Sequence, residues 1–86
     1  MPAAFERKAS YRIEDLLRIM EILRSKEGCP WDREQDHHSI RKNFVEETYE
    51  ACEAIDREDT DLLREELGDV LLQIVFHARM EEEAGS

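Results

Sequence analysis

The chain is poor in residues that interrupt regular structure, with three Gly and two Pro among 86 residues. So few turn formers disfavour a β-rich, turn-rich fold. Its two cysteines, Cys29 and Cys52, lack the C-x-x-C spacing of a zinc ribbon and are too few for a disulfide framework. Neither a signal peptide nor an apolar run of membrane-spanning length is present, so we expect a cytoplasmic protein.

Cationic residues are also scarce, since 12 Lys and Arg face 22 Asp and Glu and the formal net charge is −10. This balance disfavours DNA, RNA or an anionic membrane as a general partner, although a nucleotide could still bind through a metal ion. The abundant residues are Leu, Ile, Glu, Arg and Ala, which suit helices. The length fits one small domain, residues 1–86, with a marginal core and a flexible start at residues 1–10.

Apolar residues recur at helical spacing in three segments, which predicts an all-α fold. The helices are expected at about residues 13–24, 37–56 and 61–82, with residues 26–36 as a loop. Asp36 is a plausible N-cap for the second helix. The connection between the second and third helices is short and polar, so these two helices should form an antiparallel hairpin.

The apolar positions predict which faces of the last two helices are buried. In the second helix they are Ile40, Phe44, Ala51 and Ile55, with Cys52 at the margin. In the third they are Leu63, Leu67, Val70, Leu71, Ile74 and Ala78. Off these stripes, we expect Tyr49 to pack, His77 to lie at the core edge, and His37 and His38 to cap a helix or face solvent.

Two pairs of acids lie at the flanks of these stripes. Glu47 and Glu50 are three residues apart in the second helix, and Glu66 and Asp69 are three apart in the third, so each pair shares a face. A hairpin would bring the four carboxylates together, where they repel unless a cation neutralises them. Mg²⁺ and Mn²⁺ prefer such oxygen ligands. In so acidic a chain, a solvated acidic face is the alternative interpretation.

Residues 46–50 (EETYE) and 66–69 (ELGD) resemble the E-E-x-x-E and E-x-x-D signature of the MazG-type all-α nucleoside triphosphate pyrophosphohydrolases. Residues 28–32 (GCPWD) are similar to a segment typical of MazG itself. The resemblance covers about residues 13–82. It implies a four-helix-bundle-like fold in which an antiparallel helical hairpin is completed by oligomerisation, as a homodimer or a higher homo-oligomer.

The resemblance also implies an activity, the metal-dependent cleavage of a nucleoside triphosphate and water to the monophosphate and pyrophosphate, in nucleotide-pool house-cleaning. Mg²⁺, or Mn²⁺ in its place, would be held by Glu47, Glu50, Glu66 and Asp69. Glu46 and Glu65 each adjoin a ligand, and each is a candidate either for supporting that ligand from outside the metal's coordination sphere or for orienting water.

Three further residues are candidate substrate contacts. Arg41 and Lys42 could meet phosphate oxygens. Trp31 could stack on a nucleobase, although plugging the end of the helical bundle is the favoured interpretation. Relatives commonly continue into a further helix with basic residues, and the absence of that helix here would leave a weak or inactive metal- or nucleotide-binding module as the alternative function.

Overall fold

The computed structural model describes residues 12–86, so the predicted flexible start at residues 1–10 lies outside the described residues. The described part is all-α and holds no strand, as predicted. Its helices are α1 (Ile13–Leu23), α2 (Pro30–Glu34), α3 (His37–Asp56) and α4 (Thr60–Glu83). None of these helices is both long and apolar enough to cross a bilayer.

Helices α3 and α4 form the predicted antiparallel hairpin, and local capping sets its ends. The Asp36 carboxylate accepts a bond from the Ser39 N–H at 2.8 Å, while the Ser39 hydroxyl accepts one from the Asp36 N–H at 2.9 Å. This reciprocal capping box starts α3 at the predicted residue. Asp59 caps α4 by accepting from the Leu62 N–H at 3.1 Å. Glu58 adopts the left-handed conformation (φ 55°), which turns the chain tightly between the helices.

The prediction of a continuous loop at residues 26–36 is wrong, because α2 forms within it. Pro30 stands at the start of α2, where its fixed φ suits a helix and its missing N–H leaves no bond unmade. Gly28 is required just before it. A Cβ atom at this position would lie 2.1 Å from the Ile22 carbonyl oxygen, so the chain can pass the end of α1 only with glycine here.

Arg24 fastens the segment that contains α2 onto the end of α4. Its guanidinium donates to the carbonyls of Asp32 at 2.6 Å and Gln35 at 3.1 Å. It also donates to both carboxylate oxygens of Glu83 at 2.9 Å and lies over the Phe76 ring, 5.5 Å from its centroid. One cation therefore joins α1, the α2 segment and α4.

The hydrophobic core differs from the prediction, because α4 buries a different face from the one predicted. The central cluster contains residues of α1, α3 and α4, namely Met20, Ile40, Val75, Phe76 and Met80. The predicted stripe of α4 is wrong for this chain alone, since Leu67 is 53% and Ile74 48% exposed. Helix α4 instead turns Glu66 toward α3, and Glu66 is only 8% exposed.

Several side chains predicted to be buried on other elements are exposed as well. Cys52 and Ile55 lie on the outside of α3, and Tyr49 is 72% exposed rather than packed. Trp31 is 57% exposed, which contradicts its interpretation as a plug within a single chain. The physical reason is shared. With only 75 described residues there are too few elements to cover both faces of the hairpin.

Candidate metal centre

The hairpin brings acids from both helices to one place in the α3–α4 interface. One carboxylate oxygen from each of Glu47, Glu66 and Asp69 lies within 4.8 Å of the other two. Glu50 stands beside these three and acts electrostatically on both Glu47 and Glu66. Together Glu47, Glu50, Glu66 and Asp69 are called the acid cluster below. Its assembly follows from the helical spacing of each pair and the short connection.

The carboxyl groups of the acid cluster repel one another, which helps to raise the pKa of two of them. The pKa of Glu66 is raised to about 7, first by a hydrogen bond with Glu50, then by burial, then by the charges of Glu50, Asp69 and Glu47. Burial is also the first cause that raises the pKa of Glu47, followed by the charges of Glu50 and Asp69. No Lys or Arg of residues 12–86 contributes to either shift.

Two oxygens of the acid cluster have no hydrogen-bond partner. Glu47 Oε2 and Glu66 Oε2 are both buried and unpaired within the described part of the chain. A buried acceptor without a donor costs about 1–3 kcal/mol and calls for an explanation. A hard divalent cation would supply one, because it would bind both oxygens and neutralise the repulsion. The residues present therefore fit an oxygen-ligated metal ion.

The other predicted site residues lie away from the acid cluster in this chain. Glu46 is exposed and faces Lys42, whose Nζ lies 3.7 Å from Glu46 Oε1. Arg41 is exposed too, and within residues 12–86 neither cation pairs with any of the four acids. Trp31 belongs to α2, which precedes α3, whereas Glu47 lies about 15 Å along α3 from its start.

Sequence reasoning missed one polar residue of this interface and misjudged another. Gln73 carries a buried, unpaired Oε1 one turn beyond Asp69, and its four-residue spacing from Asp69 and His77 was the available signal. His37 was expected to cap or face solvent, but its Nδ1 lies 2.6 Å from His77 Nδ1. His77 is half-buried at the edge of the core, as predicted, and its ring centroid is 5.3 Å from that of Phe44.

The raised pKa of Glu66 predicts how the metal-free protein responds to pH. A carboxyl group whose folded pKa of about 7 exceeds the ordinary value of 4.5 binds more protons when folded, so its contribution to stability grows as pH falls through this window. Glu66→Gln should therefore raise the melting temperature of the metal-free protein at pH 7.5 by a few degrees and flatten its rise between pH 7 and 4.5.

The matched control is Glu65→Gln, because Glu65 is the exposed neighbour on the same helix. Melting curves in EDTA, followed by circular dichroism, give the comparison. An equal gain for both variants would show that the effect is general charge reduction, and a loss of stability for Glu66→Gln would contradict the repulsion.

Comparisons with known proteins agree with this geometry. The profile of the MazG nucleotide pyrophosphohydrolase domain matches residues 35–86, which include all four members of the acid cluster. A Thermotoga maritima protein named nucleoside triphosphate pyrophosphohydrolase/pyrophosphatase MazG is 52% identical over 80 residues, covering 93% of this chain and 31% of that protein.

Two further relatives extend the comparison. An Escherichia coli K12 protein named nucleoside triphosphate pyrophosphohydrolase is 55% identical over 75 residues, covering 86% of this chain and 28% of that protein. The Bacillus subtilis protein YabN, whose name describes it as uncharacterized, is 48% identical over 86 residues, covering 99% of this chain and 18% of that protein. The chain thus spans about a third or less of the length of these relatives.

The family match covers more than half of the chain and contains the whole acid cluster that the hairpin assembles. The E-E-x-x-E motif lies on α3 and the E-x-x-D motif on α4, and these two helices pack against each other. The chain belongs to the MazG nucleotide pyrophosphohydrolase domain family.

Proposed function

We propose that this chain, and any longer protein in which it occurs, cleaves nucleoside triphosphates to the monophosphate and pyrophosphate in a metal-dependent reaction. The observation that carries the proposal is the acid cluster, in which Glu47 and Glu66, each with a buried and unpaired Oε2, face Asp69 with no cationic partner among residues 12–86. The names of the Thermotoga maritima and Escherichia coli relatives support the same reaction.

The acid cluster would hold the metal through Glu47, Glu50, Glu66 and Asp69. Mg²⁺ is the first candidate and Mn²⁺ the second, because the donor set consists of hard carboxylate oxygens. When bound, such an ion neutralises polyphosphate charge and lowers the pKa of a coordinated water.

The protein's own part in the proposed reaction is to position groups. The acid cluster would fix the reacting phosphates in the α3–α4 interface through the metal ion that it holds, because carboxylates alone repel phosphate. The pKa of Glu66, raised to about 7 in the metal-free protein, indicates that the cluster favours binding a cation or a proton. Glu46 adjoins Glu47 and is proposed to orient water, which requires it to leave its exposed pair with Lys42.

Pyrophosphate release from a panel of nucleoside triphosphates tests this proposal. The chain is assayed with Mg²⁺, with Mn²⁺ and with EDTA, after circular dichroism has shown that it is folded. Pyrophosphate should form with either ion and disappear in EDTA. Equal release with and without metal would contradict a metal-dependent reaction.

One observation favours a second function, a module that binds metal or nucleotide without turnover. Within residues 12–86 no Lys or Arg pairs with the acid cluster, so the described chain brings no cationic side chain to a triphosphate there. Arg41 and Lys42 stay predicted phosphate contacts, and alanine variants of each should change mainly substrate affinity. Metal-dependent nucleotide binding without pyrophosphate release would identify the binding module.

We also propose that the chain assembles as a homodimer or a higher homo-oligomer. Exposed apolar side chains on α1 and α4 support this, namely Ile13, Leu17, Leu67, Leu71, Leu72 and Ile74. A hollow of about 400 Å³ lies between the two helices and is lined by Ile13, Leu16, Ile19 and Leu71. Small soluble monomers rarely expose large apolar patches, so these side chains are candidates for an interface between chains.

Ile74→Glu should therefore shift the protein to monomers, since a charge in a buried interface costs several kcal/mol. Light scattering at micromolar concentration measures the change. Asn43→Glu is the matched control, because it adds the same charge at an exposed polar position of α3. Monomeric wild-type protein would contradict the assembly. If Asn43→Glu dissociated the protein as well as Ile74→Glu, the effect would not identify Ile74 as part of the interface.

A further inference from the structure

A second polar cluster lies outside the acid cluster, where α3 begins and α4 nears its end. His37 Nδ1 lies 2.6 Å from His77 Nδ1, and His37 Nε2 lies 2.6 Å from Glu81 Oε2. The imidazole planes differ by 5° and the ring centres are 4.9 Å apart. The two Nδ1 atoms are so close that the observed distance between the ring centres requires both atoms to lie near the line that joins the centres. Because the ring planes are also nearly parallel, the rings meet edge to edge in one plane.

The hydrogen positions follow from this chain of contacts. The Glu81 carboxylate accepts, so His37 Nε2 carries a hydrogen and the neutral ring has a bare Nδ1. His77 must then donate its Nδ1–H to His37 Nδ1. This leaves His77 Nε2 bare, and that atom is indeed buried without a partner in the described part of the chain. The three residues His37, His77 and Glu81 are called the histidine clamp.

We propose that the histidine clamp is a pH-sensitive latch between the start of α3 and the end of α4. The bond between the rings persists when one ring is charged, because the other ring still offers a bare Nδ1. When both rings are charged, two Nδ1–H groups face each other and two positive charges adjoin, so the contact opens.

Several charged groups surround the histidine clamp. On α3, Asp36 caps Ser39; that hydrogen bond is the first cause that lowers the pKa of Asp36, and the charges of His38, which is exposed, and His37 lower it further, so Asp36 also acts on the clamp. From the end of α1, Arg24 is directed to Glu83 and to the carbonyls of Asp32 and Gln35.

On α4, Arg79 is directed to Glu21, Glu82 and Glu83 and donates to neither histidine ring. Glu81 is the acidic partner of the clamp, and Phe44 covers the His77 ring.

The electrostatics of His77 agree with the latch. Burial lowers the pKa of His77 below its ordinary value of 6.5, and the charge of His37 lowers it further. A histidine whose folded pKa is lowered binds fewer protons when folded, so its contribution to stability falls as pH drops below 6.5. As pH falls, the contribution of His77 to stability decreases whereas that of Glu66 increases. A measurement of global stability would mix these two contributions, so a local measurement is needed to separate them.

Hydrogen exchange at pH 7.5 and pH 5.0 gives that local measurement. After correction for intrinsic exchange, the amides of residues 40–44 and 78–83 should lose protection by about five- to tenfold at pH 5.0, the effect of one hydrogen bond of about 1 kcal/mol. In His77→Asn the amide can present either a donor or an acceptor to His37 and does not titrate, so protection should change little with pH.

His38→Asn is the matched control and should behave as wild type. The latch is overturned if wild-type protection is equal at both pH values, if His77→Asn loses as much as wild type, or if His38→Asn abolishes the loss. Should His77→Asn fail to fold, NMR titration of the wild-type histidine Cε1 protons decides. The His77 signal should titrate below pH 6.5, and a His77 titration at 6.5 or above would overturn the latch.

Discussion

Glu50→Gln should lower the turnover of nucleoside triphosphates by about 100-fold, because losing a group that only supports a metal ligand already costs about 10- to 100-fold and Glu50 is proposed as a ligand itself. The substitution keeps the shape of the side chain and removes its charge. In the metal-free protein Glu50 raises the pKa of both Glu47 and Glu66, so removing its charge relieves repulsion. The melting temperature in EDTA should therefore stay the same or rise while activity collapses.

Glu53→Gln is the control for this prediction. Glu53 lies one turn further along α3, is exposed, and pairs with Arg57 at 3.5 Å rather than with the acid cluster. Its variant should retain wild-type turnover. Steady-state pyrophosphate release and thermal melting of both variants give the result. Comparable activity of Glu50→Gln and Glu53→Gln would remove Glu50 from the proposed metal ligands.

Millimolar Mn²⁺ or Mg²⁺ should raise the melting temperature of the wild-type protein by about 10–20 °C. An ion present at about 100 times its dissociation constant stabilises the fold by about 2.7 kcal/mol, and a domain of this size gains about 4–8 °C per kcal/mol. The gain is expected because a cation ends the repulsion in the acid cluster and binds the unpaired oxygens of Glu47 and Glu66. Asp69→Asn should reduce it.

Salt alone screens repulsion between acids, so the control is KCl at the same ionic strength in EDTA. Differential scanning calorimetry follows all samples. A gain matched by KCl would show that screening accounts for the effect, and a gain that Asp69→Asn retains in full would exclude Asp69 as a ligand.

The features that local chemistry determines could be predicted from the sequence. Helix α3 begins and ends at the predicted residues, and its start is set by the capping box that Asp36 and Ser39 form within four residues of chain. The meeting of Glu47 with Glu66 and Asp69 follows from three-residue spacing on two helices joined by a short turn. The α2 helix was missed because five residues are too few for hydrophobic periodicity to show.

The burial of α4 could not be predicted, because periodicity shows only that a helix has an apolar face. Here Leu67 and Ile74 are exposed, whereas Glu66 is buried and Gln73 is half-buried with its Oε1 enclosed. A hydrophobic stripe gives no signal for a polar interface between helices, and we propose that the apolar stripe of α4 belongs to an interface between chains. The contact between His37 and His77 joins residues 40 positions apart, beyond the reach of local patterns.

Phosphorus NMR of the products formed from one nucleoside triphosphate tests the central claim most directly. Wild-type protein with Mg²⁺ should give the monophosphate and pyrophosphate, and both should be absent in EDTA and greatly reduced in Glu50→Gln. Nucleoside diphosphate and orthophosphate, or products that persist in EDTA, would contradict a metal-dependent pyrophosphohydrolase built on the acid cluster.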